Sequence, residues 1–283
     1  MPFESAGARF RTPAWLIAGA ALAFTLGTQT LSPGPLRDSS AYLVALLPGL
    51  LTALVFRSVL AGVAVTLAPM YFVIGFMLRG LPAHSPMTAL DRVWPLEPAW
   101  MLVYGSLYVF VVILPFLVIR ERQLGHRTLR AYIAVMLPAY AGFLLYPTTA
   151  PSHGVLPSTG FAAWTLRLAY DIDTPANCFP SLHVAYAFVA AQACYRVHRG
   201  VGIAALIWAT LIALSTLFTK QHYIVDVAAG AAMGGAASFV FLRSGPRRGT
   251  NEHGRGAPRR AAYAVAFYVL MVAAFGVTYL TRG

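Results

Sequence analysis

Apolar runs about as long as a bilayer is thick recur through the whole of this 283-residue chain, and no other feature constrains its fold so strongly. Taken between charged or Pro/Gly-rich breaks, they fall at 14–31, 41–56, 58–78, 99–119, 129–146, 181–197, 201–218, 223–242 and 261–280. A helix needs about 20 apolar residues to cross the hydrocarbon, where no water satisfies a bare backbone. Only 11% of the residues are charged, against about 25% in a soluble domain. The expected fold class is therefore an all-α, multi-pass integral membrane protein, which excludes a secreted domain, a cytosolic enzyme and a disordered chain. The run at 14–31 follows Arg9 and Arg11 and is long for a cleaved leader, so it reads as an anchor. The run at 41–56 is short and contains Pro48, which makes it the weakest of the nine.

The charge that remains orients the chain. If the N-terminus is cytoplasmic and all nine runs cross, 15 basic residues fall inside and 6 outside, as the positive-inside bias requires. The net charge of +12 then reflects loop arginines facing anionic head groups. No nucleic-acid-binding motif accompanies it, so the expected partners are membrane lipids and not nucleic acid. The basic residues are 20 Arg and a single Lys, Lys220, a skew common in G+C-rich bacterial genomes. The expected location is a bacterial inner membrane. Cys178 and Cys194 are separated by some four helical turns, too far to bridge.

Two outer segments, 80–98 and 147–180, are long and polar, which is uncommon for loops without function. Phe161, Trp164, Leu168 and Tyr170 have the spacing of a short interfacial helix within the second. The run Gly230 to Ala237 reads as a small-residue face for close helix packing. His126, His198 and His253 fall in inner loops, and His84 and His153 on the outer side have no partner at fixed spacing.

Ionisable groups at membrane depth are expensive and mark function. Two clusters qualify, and the topology puts both at the outer face. One is Asn177-Cys178-Phe179-Pro180-Ser181-Leu182-His183, opening the run at 181–197; the other is Lys220-Gln221-His222-Tyr223-Ile224-Val225-Asp226, opening the run at 223–242. His222 and Asp226 are four residues apart on one helix face, so the carboxylate can hold one ring N–H and leave the other nitrogen free to attack. His183 has no such partner in its own segment and is the better candidate for an acid. Lys220 supplies a cation, Ser181 a hydroxyl, and Asn177 suits either capping or contact with substrate. Both clusters open helices, whose N-termini favour phosphate. The constellation is one for phosphoryl transfer.

Pro180-Ser181-Leu182-His183 resembles the Pro-Ser-Gly-His motif of the type 2 phosphatidic acid phosphatase superfamily. Ser215 with His222 and Asp226 resembles that superfamily's Ser-Arg-x5-His-x3-Asp motif. With Tyr146-Pro147-Thr148-Thr149-Ala150-Pro151, the chain is most similar to the inositol phosphorylceramide synthase branch, over roughly 129–242. The resemblance implies a six-helix core at 58–243, with 1–57 as accessory helices, 244–260 as a basic cytoplasmic loop and 261–283 as a further helix. It implies that His222 forms a phosphohistidine, Asp226 orients it, His183 protonates the leaving group and Ser181 holds phosphate, with no metal and no cofactor. The substrate would be a phospholipid or lipid phosphate, and the site would face the periplasm.

Three positions depart from the pattern: Thr216 stands where the motif has Arg, Leu182 where it has Gly, and Ala139 and Tyr146 where a Lys-x6-Arg-Pro motif has its charges. Phosphate charge must then be met by Lys220 first, with Arg79, Arg92 and Arg167 as helpers. The expected activity is lipid phosphotransfer. The alternatives are a lipid phosphate or isoprenyl pyrophosphate phosphatase and, in another class, a transporter or a non-catalytic lipid-binding relative.

Overall fold

The computed structural model describes residues 58–157, 159–173, 176–243 and 252–282. The expected runs at 14–31 and 41–56, and residues 244–251 of the basic loop, lie outside the described residues. Among the described residues the protein is all-α with no sheet. Six helical stretches there are long and apolar enough to cross a membrane: Leu60–Met77, Pro98–Val118, Arg122–Leu145, Arg199–Phe218, Ile224–Leu242 and Ala257–Thr281. The protein is thus a multi-pass integral membrane protein.

The helices are α1 (Val59–Leu67), α2 (Met70–Met77), α3 (Met101–Tyr104), α4 (Leu114–Val118), α5 (Arg122–Leu145), α6 (Phe161–Ile172), α7 (Leu182–Val197), α8 (Arg199–Phe218), α9 (Ile224–Leu242) and α10 (Ala257–Arg282). Two of the expected runs are broken, and proline is the cause in each. Pro69 divides 58–78 into α1 and α2. Pro115 lacks an N–H and crowds the carbonyl four residues back, so the 99–119 run passes through a π-helical turn, Val109–Ile113, before α4. Each break frees a carbonyl that must be satisfied elsewhere. The hydroxyl of Tyr132 donates to Val111 O at 2.7 Å and that of Tyr140 to Leu67 O at 2.9 Å. The α5 helix begins seven residues before the apolar run at 129–146, because its first two turns are basic and polar.

α7 is the centre of the bundle, packed against α5, α8 and α9. It has 16 residues and is about 24 Å long at 1.5 Å per residue, short of the roughly 30 Å hydrocarbon. Enclosed by other helices, it has no need to match the lipid. Its buried alanines, among them Ala185, Ala187, Ala190, Ala191 and Ala193, let neighbours approach. On α9, Gly230 lies against the Ser181 carbonyl, and a β-carbon at Gly234 would stand 2.6 Å from Ala185 O. The small-residue face expected at 230–237 is thus the seam between α9 and α7. α10 packs on α4 and the π turn, with Phe275 and Tyr279 against Trp164 of α6.

Candidate active site

The chain between α8 and α9 turns tightly, and this turn presents the second cluster. Lys220 takes a left-handed conformation (φ 53°), and the N–H groups of Gln221 and His222 both donate to Thr216 O, at 2.9 and 3.2 Å. His222 follows, two residues before α9 begins, and Asp226 lies in the first turn of that helix. His222 Nδ1 lies 3.4 Å from Asp226 Oδ2, which also accepts from Tyr223 N at 2.9 Å. Asp226 is fully buried, and its Oδ1 has no hydrogen-bond partner.

The first cluster meets the second directly. Ser181 caps α7, its side chain accepting from Val184 N at 3.4 Å, while its own N–H donates to Asp226 O at 3.1 Å. His183, two residues on, points its Nδ1 at His222 Nε2, 3.0 Å away. Both rings are buried, at 7% and 3% exposure. Residues 39 positions apart are thereby brought into hydrogen-bonding contact. Behind them, His183 Nε2 lies 3.3 Å from the hydroxyl of Tyr104, a residue that spacing within either cluster had no means of finding.

His222 forms part of the wall of a cavity of about 390 Å³, together with Lys220, Gln221, Cys178, Tyr71, Asp173 and the segment Ala150–Gly154. The two long outer segments close around this region. His84 and Asn177 each bridge to Thr148 through the backbone, and Thr148 Oγ1 accepts from Phe179 N at 2.8 Å. Tyr71 donates to both oxygens of Asp173, at 3.0 and 3.2 Å. Tyr170 of α6 donates to Thr219 O at 2.7 Å, and His153 stacks on its ring. Residues 161–172 form a short helix where the aromatic spacing predicts one.

The remaining candidate positions divide. Asn177 is buried and does not cap α7; its Nδ2 donates to Tyr71 O at 3.1 Å. Lys220 reaches the cavity, but its Nζ also donates to the Trp94 carbonyl. Burial draws its ammonium below the ordinary lysine range, and the facing Asp91 opposes that shift. Arg79 lies over the Phe76 ring, Arg167 donates to Pro157 O, and Arg92 is exposed; none of the three lines the cavity. The Ser215 hydroxyl donates to Ile212 O and the Thr216 hydroxyl to Ala213 O, each within α8.

The N-terminus of α9, expected to favour phosphate, already holds carboxylates. Asp91 Oδ1 accepts from Ile224 N at 2.8 Å, and Asp226 takes the N–H of Tyr223. Asp91 is fixed in turn by Thr88, whose N–H and hydroxyl both donate to its Oδ2 at 2.6 Å. Burial opposes its ionisation, but these hydrogen bonds and Lys220 outweigh it and hold the carboxyl below its ordinary range. Among the described residues no group of three His, Cys, Asp or Glu is arranged to hold a metal ion.

A family model described as PAP2 superfamily matches residues 78–240. This chain belongs to the PAP2 superfamily. The match begins some 50 residues before the segment in which motifs are legible, and so takes in the 80–98 segment and the broken helix that carries Tyr104. No curated protein matches the chain, and no solved structure does. Membership makes this an enzyme with the superfamily's catalytic fold, that of type 2 phosphatidic acid phosphatases, and accords with a lipid or phospholipid substrate.

Proposed function

We propose that this PAP2 enzyme transfers a phosphoryl group of a phospholipid or lipid phosphate through a phosphohistidine at His222. One observation carries the reading: His222 Nε2 stands 3.0 Å from His183 Nδ1 at the cavity wall, with its other nitrogen against Asp226. Nε2 attacks phosphorus, and the bond from phosphorus to the lipid oxygen breaks. Asp226 holds Nδ1–H and stabilises the positive charge that the ring acquires. His183 gives a proton to the departing lipid oxygen. In the second half His183 takes a proton from the acceptor hydroxyl, whose oxygen displaces His222. Ser181 at the start of α7 and Lys220 in the turn meet phosphate oxygens, and Asn177 holds the wall through Tyr71. The reaction needs neither metal nor cofactor.

The acceptor in this reading is a lipid hydroxyl, as in the inositol phosphorylceramide synthase branch. Its support is the run Tyr146 to Pro151, stitched to Phe179-Pro180-Ser181-Leu182-His183 by the buried Thr148. Residues 58–243 form the six-helix catalytic core in this reading, and 261–283 adds an accessory helix. The site faces the periplasm of a bacterial inner membrane and the N-terminus the cytoplasm.

The test incubates purified protein with phosphate-labelled phospholipid, with and without an acceptor lipid. Label is expected in the acceptor lipid, and free phosphate as the only product overturns the transferase reading in favour of hydrolysis. His222→Ala is expected to lower turnover by at least 10³-fold and to abolish a trappable phosphohistidine. Retained turnover in a folded variant removes His222 as the nucleophile and leaves transport or lipid binding as the reading.

A further inference from the structure

The mechanism above leaves His183 without an orienting group of its own. His222 has Asp226, whereas nothing in the 177–183 segment plays that part. Three observations converge on the far side of the His183 ring. Tyr104 is 2% exposed, its ring centroid lies 5.4 Å from that of His183, and its hydroxyl is 3.3 Å from Nε2. The helix that carries it is interrupted just beyond, at Gly105 and the π turn Val109–Ile113, and local irregularities of this kind accompany functional sites. The neighbouring Tyr71 meets the His183 ring edge-on, with its hydroxyl on Asp173; the Tyr104 hydroxyl is also hydrogen-bonded to Asp173, which leaves its oxygen to accept from the ring.

We propose that Tyr104 is the positioning residue of His183, its hydroxyl holding Nε2–H so that the exchangeable proton is the one on Nδ1, facing His222. This rests on the phosphohistidine reading above and extends it. In the first half His183 acts as the imidazolium, its Nδ1 having taken a proton from solvent; that N–H bond breaks and its electron pair stays on the ring. The proton goes to the leaving lipid oxygen, which keeps the pair of the broken P–O bond. His183 is left neutral, with Nε2–H still on Tyr104 and a lone pair on Nδ1 that accepts the acceptor's proton in the second half. A phenol suits this task better than a carboxylate. A carboxylate bonded directly to the ring would favour the charged form and weaken the acid, whereas the phenol orients the ring and keeps Asp173 one group removed from it.

The test is the leaving-group dependence of Tyr104→Phe, which keeps the ring and removes the hydroxyl. Wild type, Tyr104→Phe and His222→Ala are assayed in detergent micelles on phosphatidic acid, whose alkoxide must be protonated, and on 4-nitrophenyl phosphate, whose phenolate leaves unaided. Tyr104→Phe is expected to lose about 20- to 100-fold in kcat on phosphatidic acid and about threefold on the aryl ester, with KM within about twofold. Equal losses on both, or no loss on either, overturn the proposal. A His222→Ala variant as active as wild type overturns the phosphohistidine reading itself. An arm independent of turnover compares imidazole-¹⁵N spectra of wild type, Tyr104→Phe and His183→Gln, the last assigning the signal. His183 Nε2 is expected to carry the proton in wild type and to shift on loss of the hydroxyl. A signal unchanged in Tyr104→Phe overturns the role of Tyr104.

Discussion

His222 and His183 touch each other, yet the protein holds them by unlike means. His222 is served locally: it lies in the turn before α9, Asp226 in the first turn of that helix faces it, and the same carboxylate takes the N–H of Tyr223. His183 is served from 79 positions away, by a phenol on a helix that has been broken by proline and a π turn. The first arrangement puts a buried carboxylate in direct contact with the ring that the proposed mechanism makes positive. The second puts a phenol against the ring that the same proposal makes the acid. In the proposed mechanism these two chemically identical side chains take opposite roles, and what differs is the partner behind each.

The comparison breaks first at Asp226. Asp226→Asn keeps the shape and removes the charge, so kcat is expected to fall by on the order of 10³- to 10⁴-fold. The loss should be equal on alkyl and aryl substrates, since attack on phosphorus is common to both. A loss no larger than that of Tyr104→Phe would mean that the two histidines are interchangeable. The seam that holds them together is tested next. Gly234→Val puts a β-carbon against Ala185 O, whereas nothing lies within 4 Å of a β-carbon at Gly235. Overpacking of this kind costs about 1–3 kcal/mol. Thermal unfolding in detergent should show the loss for Gly234→Val and none for Gly235→Val. Turnover on both substrate types should fall together for the first, because α7 carries His183 and α9 carries Asp226, the partner of His222.

What could be read in advance follows the same division. The His222–Asp226 pairing was legible from the four-residue spacing, although His222 lies in the turn two residues before α9 and not on the helix face expected for it. The glycine seam was legible because small residues in a membrane helix mean close approach. Seven of the nine expected runs fall within the described residues, and each is helical there. Tyr104 was not legible: an apolar run with a tyrosine in it looks the same whether the hydroxyl faces lipid, a carbonyl or a histidine. Tyr132 and Tyr140, which satisfy freed carbonyls, show how many such uses there are. The prolines that break the helices were visible, but their consequence depends on long-range packing. Asp91 was hidden for the same reason, since its partner Ile224 lies 133 positions on. The expectation of phosphate at the α9 N-terminus failed to count it.

A smaller effect sharpens the contrast between the two sides of the site. Lys220 lies beside His222, and the described residues give His183 no comparable cation. Lys220→Met is expected to raise KM, and the inhibition constant of inorganic phosphate, by about tenfold, the worth of one charge-assisted hydrogen bond. The change in kcat should be smaller. An unchanged phosphate inhibition constant would mean that the ammonium serves the Trp94 carbonyl alone.

The smallest effect is expected at Asp91, which steadies the His222 side from outside. Asp91→Ala removes the acceptor for Ile224 N and should cost about 1 kcal/mol of stability, the usual worth of a lost cap. Because the folded protein holds this carboxyl below its ordinary range, its contribution is complete above the unfolded value near pH 4 and fades as pH falls through the lower folded value. The melting temperatures of wild type and Asp91→Ala should therefore differ by a constant amount at neutral pH and converge in acid. A gap that persisted there would assign the attachment of the 80–98 segment to its other contacts, Trp94 and Trp100 on Phe218 and Glu97 N on Phe218 O. Turnover should change little in either case, since Asp226 still holds Tyr223 N and the His222 ring stays on its own carboxylate.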